Sequence, residues 1–229
     1  MSNRSRQTRS RTVARAAGAG QTNRTTWWIF GGLGVVVVAV LVAALLAAPS
    51  NESDFAAGEV SLSGESLPPL VDPANDDAVG RTIPAVAGEN FEGETVEIAP
   101  DGEPKVITFL AHWCGHCQAE VPVVQDWIDE NGMPEDVGLY SVVTRNDRTQ
   151  GNWPPDEWLE DEGWTVPVLV DSDTNEIANA LGLSGTPMYV VVDGEGDVVT
   201  RASGEIGADG FVELIETARS TGDDDAGTG

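Results

Sequence analysis

The stretch Val106-Ile107-Thr108-Phe109-Leu110-Ala111-His112-Trp113-Cys114-Gly115-His116-Cys117 decides the reading of this chain. Residues 106–110 form a short apolar run of the kind a buried strand makes. Cys114 and Cys117 are the only cysteines in 229 residues, and they are two residues apart. A helix-compatible stretch follows, from Gly115 to about residue 130, with Val121, Val124, Trp127 and Ile128 spaced to face a core. A Cys-x-x-Cys pair at a strand-to-helix junction makes a low-pKa thiolate that can attack a disulfide. The reason is electrostatic: a helix N-terminus presents unpaired N–H groups and the positive end of the macrodipole. Cys114 is therefore expected to be the attacking thiolate. Cys117, one turn on, is expected to be more buried and to resolve the mixed disulfide. Gly115 is expected to let the backbone turn tightly between the sulfurs. A protonated His116 would add positive charge beside the thiolate and stabilise the reduced form.

Charge divides the chain. Residues 1–51 hold six arginines and no acid, whereas residues 52–229 hold six bases against 38 acids, a net charge of −32. An acidic surface suits solubility or a salty medium. It argues against nucleic-acid binding, which needs clustered Lys and Arg facing phosphates. Residues 27–48 are 22 in number without a charge or a strongly polar side chain. At about 1.5 Å per residue they can cross a hydrocarbon core of about 30 Å. Trp27 and Trp28 stand where an interfacial anchor would be, and the arginines before the span keep residues 1–26 in the cytoplasm by the positive-inside rule. An uncleaved anchor fits better than a signal peptide, whose apolar core is shorter. The catalytic part is thus expected outside the cytoplasm, on a single-pass anchor in the cell membrane.

The chain divides into a basic, disordered arm (1–26), the membrane span (27–48), a flexible tether (49–79), a compact domain (80–219) and a frayed acidic tail (220–229). Within the domain, residues 83–87 and Thr95–Ile98 can pair as a hairpin around Glu92-Gly93. Further strands are expected at 106–110, 137–144, 166–170, Met188–Val192 and Val198–Ser203, the last two flanking the turn Asp193-Gly194-Glu195-Gly196. Helices are expected at 115–130, kinked at Pro122, after Pro154-Pro155, at 176–181 and at 209–218. This mixture predicts an α/β domain of three layers, a central mixed sheet with helices on both faces.

Trp113-Cys114-Gly115-His116-Cys117, with the run before it, resembles the thioredoxin superfamily. Glu120 and Pro122 extend the match to Trp-Cys-x-x-Cys-x-x-Glu-x-Pro, the form of the membrane-anchored TlpA/ResA-type thiol–disulfide oxidoreductases. Gly185-Thr186-Pro187, just before the strand Met188–Val192, is similar to the loop that carries the superfamily's cis-proline. The resemblance covers residues 79–219. It implies a thioredoxin-like fold, a nucleophile at Cys114, a resolving thiol at Cys117, a cis Pro187 beside the sulfurs, and a Thr186 backbone that meets an extended substrate. It implies no cofactor beyond the redox-active disulfide. The partners it implies are exported protein thiols and disulfides, and a membrane electron-transfer partner, as in cytochrome c maturation.

Two departures bear on mechanism. Thr108 stands where thioredoxin has a buried Asp, so a water or Glu120 would have to move the proton of the resolving thiol. Gly115-His116 is the dipeptide of disulfide isomerases, which makes oxidation or shuffling of exported disulfides the alternative to reduction. A third reading belongs to another class. His112, Cys114, His116 and Cys117 offer two imidazoles and two sulfurs in six residues, as in a copper carrier of thioredoxin-like fold. No second ligand cluster accompanies them, and no metal is expected. A structural disulfide is the remaining reading, although so short a loop would stabilise the chain little. Taken singly, Glu120 is expected to be solvated in an early helical turn, with proton handling as the alternative. His112 is expected at a loop surface, and Trp113 is expected to pack near the sulfurs and cover them.

Overall fold

In the computed structural model, residues 58–225 are described, with side chains to residue 221. The basic arm, the expected membrane span and the first part of the tether lie outside the described residues, as do residues 226–229. No helix among the described residues is long and apolar enough to cross a membrane.

The central sheet has five strands: β4 (Lys105–Leu110), β5 (Gly138–Val143), β6 (Val168–Val170), β7 (Met188–Val192) and β8 (Val198–Ser203). Their order is β6-β5-β4-β7-β8. The β6-β5-β4 half is parallel, and β7 and β8 run antiparallel to it. β4 is buried along its whole length, which is why it reads as one apolar run instead of an alternation. Its side chains still divide between two faces with the period of a strand. Val106 packs with Tyr189 and Val191 under the helices α1 (Gly115–Asn131) and α4 (Gly207–Asp225). Ile107 and Phe109 face the opposite side, toward the short helix α3 (Glu176–Ala180) and the three-stranded antiparallel sheet of β1 (Ser61–Ser63), β2 (Ala85–Glu89) and β3 (Thr95–Ile98). The helix α2 (Pro155–Asp161) closes the end of the sheet where β4 and β5 finish, with Trp158 and Leu159 packed on Leu110 and Val143.

The α/β reading with a mixed sheet therefore holds, with one refinement. A small sheet, and not helices alone, covers much of the second face. Strand limits shift by one to a few residues, and α1 continues through Pro122 to Asn131. The last helix runs on to Asp225, past the expected start of the tail.

The tether requires correction. From β1 onward it belongs to the domain: Ser61–Ser63 pair with Ala85–Ala87 of β2, and Leu67, Leu70 and Ala78 are buried in the core. Leu67 N–H donates to the Ala180 carbonyl and Leu70 N–H to that of Gly182. Gly182 has φ +71°, and a Cβ there would lie 2.3 Å from the Pro68 carbonyl oxygen, so only glycine admits this approach. A buried ion pair fastens the segment. Arg201 on β8 holds Asp76 at 2.5 Å and also donates to the carbonyls of Pro68 and Leu181. The serines, prolines and acids that read as a linker hide these scattered apolar anchors, which have no period.

Removal of one partner strands the other charge in the core, at a cost of about 3–5 kcal/mol. Asp76→Ala should accordingly lower the urea midpoint of the domain with little change in the denaturant slope. A midpoint within error of wild type would show that Arg201 is adequately paired without it.

Candidate active site

Cys114 is the N-cap residue of α1, with extended backbone (φ −77°, ψ 116°), and Gly115 is the first helical residue. The strand β4 ends at Leu110, and a four-residue link delivers Cys114 to the helix N-terminus, with Cys114 N–H bonded to the Ala111 carbonyl at 3.0 Å. Cys114 is 9% exposed and Cys117 is 0% exposed; both are free thiols. The Thr186–Pro187 peptide bond is cis, as the resemblance implies. The loop that carries it meets the first sulfur: Cys114 Sγ lies 3.1 Å from the Thr186 carbonyl oxygen and donates to it.

Environment separates the two thiols. Partial burial pushes the Cys114 pKa up, but hydrogen bonds from the Thr186 side chain, the Cys117 and His116 backbone and the Cys117 thiol outweigh it, so the net shift is downward from 9.0. Deep burial, joined by the nearby charge of a Cys114 thiolate, pushes Cys117 up to about 12. Gly115 does not serve the turn expected of it. Its backbone is not in the left-handed region, and a Cβ there would meet nothing within 4 Å. It leaves open space beside Cys114 instead.

His116 projects from the helix and pairs with Glu205, with Nδ1 2.5 Å from Oε1. The hydrogen bond to Glu205, with its charge, raises the His116 pKa, while the carboxylate offsets the charge of a protonated ring as seen from Cys114. Glu205 was not legible beforehand, because nothing in a lone acid 89 residues on marks it as a partner.

Glu120 overturns the expectation of a solvated side chain. It is 3% exposed and faces the sheet. One carboxylate oxygen accepts from the Tyr189 hydroxyl at 2.7 Å and from Ile206 N–H at 3.0 Å, and Gly207 N–H reaches both oxygens at 3.2 Å. Gly207 begins α4, so the carboxylate sits at the positive end of a second helix. Tyr189 pairs with Thr108 in the sheet, on the same face. Burial, with the charges of Glu120 and Cys117 close by, drives the Tyr189 pKa upward, so its hydroxyl stays protonated. Tyr189 is a site residue that sequence reasoning missed; its one signal is a phenol in an otherwise apolar strand.

His112 is likewise not a surface residue; it is 0% exposed. Its Nδ1 lies 2.7 Å from the Gly151 carbonyl and donates to it, while Nε2 accepts Asp147 N–H at 3.2 Å. Both nitrogens are thereby committed to the β5–α2 loop, and the ring is the neutral Nδ1–H tautomer. Neither nitrogen is offered to the ligand set that the copper reading assembled, and no group of three or more potential ligands among the described residues is placed to hold a metal. Trp113, 38% exposed, donates from its indole nitrogen to the Arg145 carbonyl at 2.8 Å. The same loop is thus tied to both residues that precede Cys114. Among the described residues, the three buried side-chain polar atoms without a hydrogen-bond partner all fall in or just beyond it: Asn146 Oδ1, Asp156 Oδ1 and Trp158 Nε1.

Comparison with known proteins agrees with this geometry. The family model described as Redoxin matches residues 78–213. The thiol:disulfide interchange protein DsbE of Haemophilus influenzae is 27% identical over 131 residues, which is 56% of this chain and 67% of the relative. The thiol:disulfide interchange protein HelX of Rhodobacter capsulatus is 28% identical over 144 residues, 60% of this chain and 74% of the relative. The crystal structure of a thioredoxin-family thiol:disulfide interchange protein from Chlorobium tepidum superposes with a TM-score of 0.51 at 19% identity, covering 62% of this chain and 98% of that one, a likeness of fold.

The separated thiol pKa values predict selective labelling. At about pH 7.5, iodoacetamide should modify Cys114 and leave Cys117 untouched in the folded, reduced protein. Peptide mapping checks this, and alkylation of both at similar rates would contradict the burial argument.

His112 predicts a pH dependence of stability. Burial holds its pKa below 6.5, against the opposing pull of the Gly151 carbonyl and the Asp147 charge. Below pH 6.5 the unfolded chain therefore takes up a proton that the folded chain refuses. Stability is fully present above that pH and falls as the pH drops toward the depressed value. Urea unfolding from about pH 7.5 to about pH 5 should show this slope in wild type and a shallower one in His112→Gln. Equal slopes would assign the dependence elsewhere.

A cap-position thiol at a helix N-terminus, a buried second thiol and a cis-proline loop against the first stand together with the family match: the chain belongs to the redoxin family, as a thioredoxin-like thiol–disulfide oxidoreductase.

Proposed function

We propose that this protein is a membrane-anchored, extracytoplasmic oxidoreductase that exchanges disulfides with exported proteins through Cys114 and Cys117, as in cytochrome c maturation. One observation carries the reading: the inequality of the two thiols. Cys114 lies at the edge of the site with a lowered pKa, against the cis-proline loop, and Cys117 lies sealed behind it with a pKa of about 12. A thiolate is needed first at Cys114 and only later at Cys117, and the site offers them in that order. The apolar stretch 27–48, with arginines before it and acids after it, supports the anchoring and the orientation. The relatives named as thiol:disulfide interchange proteins support the reaction class.

In the reducing direction, the Cys114 thiolate attacks one sulfur of a substrate disulfide. The Cys114–substrate bond forms, the substrate S–S bond breaks, and the leaving thiolate takes a proton. Cys117 then gives up its proton and attacks Cys114 Sγ. The Cys114–Cys117 disulfide forms, and the second substrate thiolate leaves. Two electrons have passed to the substrate. A dithiol on a membrane partner restores the pair by the reverse sequence. The substrate backbone runs beside Thr186 and Pro187, and Gly115 leaves open space next to Cys114 in the chain. Thr108 offers no titratable group, and the buried pair of Glu120 and Tyr189 on the same face is the available path for the Cys117 proton. His116, offset by Glu205, tunes the thiolate less than a lone imidazolium would, which favours reduction over the oxidase or isomerase alternative.

Cys117→Ser should accumulate mixed disulfides on Cys114 with exported proteins, separable on non-reducing gels and lost on reduction. Cys114→Ser should accumulate none. If neither variant captures a partner under conditions where the wild type turns over, the assignment of roles fails.

A further inference from the structure

Of the six bases in residues 52–229, three are spent on ion pairs within the fold: Lys105 with Asp101, Arg201 with Asp76, and Arg219 with Asp136. Among the described residues, the other three, Arg81, Arg145 and Arg148, form no ion pair. Two of these three stand three residues apart on the β5–α2 loop, in a domain that is otherwise overwhelmingly acidic.

That loop is part of the active-site wall. The Arg145 carbonyl accepts from the Trp113 indole, next to Cys114, and the adjacent His112 grips Asp147 and Gly151. Asn152 donates to the His112 carbonyl. Arg145 is held at φ +53° and Asn152 at φ +57°, conformations that side-chain-bearing residues rarely adopt. The Arg145 strain is held by Asn175, whose side chain accepts Arg145 N–H at 2.8 Å. Backbone strain of this kind persists only where surrounding structure imposes it, and it gathers at functional sites. Arg148 is exposed and lies over the Trp153 ring, 5.6 Å from its centroid, and Trp153 stacks edge-on against His112. The guanidinium is therefore backed by the Trp153 ring. His116, beyond Cys114 in the motif, is already paired with Glu205. The uncommitted positive charge near the motif is thus that of the β5–α2 loop.

We propose that Arg145 and Arg148 form a recognition surface for acidic polypeptide, which receives Asp or Glu side chains flanking the target disulfide on the side facing the β5–α2 loop. This rests on the disulfide-exchange reading above and adds a substrate class to it. Screening explains how an acidic protein can prefer an acidic partner. Beyond about 8–10 Å the charge of the wider surface is damped at physiological salt, and the groups in contact at the site decide.

The test uses the full chain, reduced, with three disulfide-bridged peptides identical except at the positions flanking the cysteines: Asp/Glu, Asn/Gln or Lys. The readout is kcat/KM at about 0.15 M salt, for wild type and for R145Q, R148Q and the double variant. Reaction with 4,4′-dithiodipyridine, a small uncharged disulfide, reports whether the dithiol works in each. Wild type should prefer the acidic to the neutral peptide by about fivefold, less at high salt, and the double variant should bring the ratio close to one. A wild-type preference for the neutral or Lys peptide, or a double variant that keeps the acidic preference, overturns the proposal while leaving disulfide exchange standing. A wild type inert toward all three peptides and toward the small disulfide removes the disulfide-exchange reading, and the proposal with it.

Discussion

A single buried carboxylate joins the elements that make the site. Glu120 belongs to α1, two turns from the attacking thiol, yet its oxygens are spent on the Tyr189 hydroxyl of β7 and on the backbone N–H groups that open α4. An ionisable group so enclosed is tolerable only when its lone pairs are met, and here three donors and a helix N-terminus meet them. The consequence is positional. α1 cannot slide on the sheet without breaking those bonds, so the N-terminus that holds Cys114 stays fixed over the end of β4. The loop before α4, which carries Glu205, is held in the same way and stays within reach of His116.

The same economy of charge recurs through the domain. With six bases among 38 acids in residues 52–229, each cation has a traceable position. Arg201 locks the N-terminal segment to β8, Lys105 anchors the start of β4 to Asp101, and Arg219 holds α4 to the turn after α1 through Asp136. Only the first of these pairs is buried on both sides, and it carries the most structural weight, since exposed pairs contribute little in water. Its effect is to make residues 58–79 part of the domain.

The redox asymmetry is a burial asymmetry. Two thiols one helical turn apart would behave alike on an isolated peptide. In the fold, Cys114 has hydrogen-bond donors and an open approach, whereas Cys117 is walled in by Leu110, Val121 and their neighbours. The loop bearing Pro187 completes the arrangement from a different strand.

Much of this was written in local sequence. The Cys-x-x-Cys pair after an apolar run placed the chemistry at a strand-to-helix junction. Gly-Thr-Pro before a valine-rich strand marked the second loop, and apolar spacing marked α1 and α4. Such signals survive in one dimension because strand burial, helix periodicity and turn chemistry act over a few residues. Long-range partnership does not. That Glu120 and His112 are buried, that the Tyr189 hydroxyl meets Glu120, that Glu205 pairs with His116, and that residues 58–79 pack into the core are decided by elements distant in the chain. The cause is desolvation: a polar side chain can enter the interior only where donors and acceptors from other elements are already waiting, and tertiary structure alone brings them there.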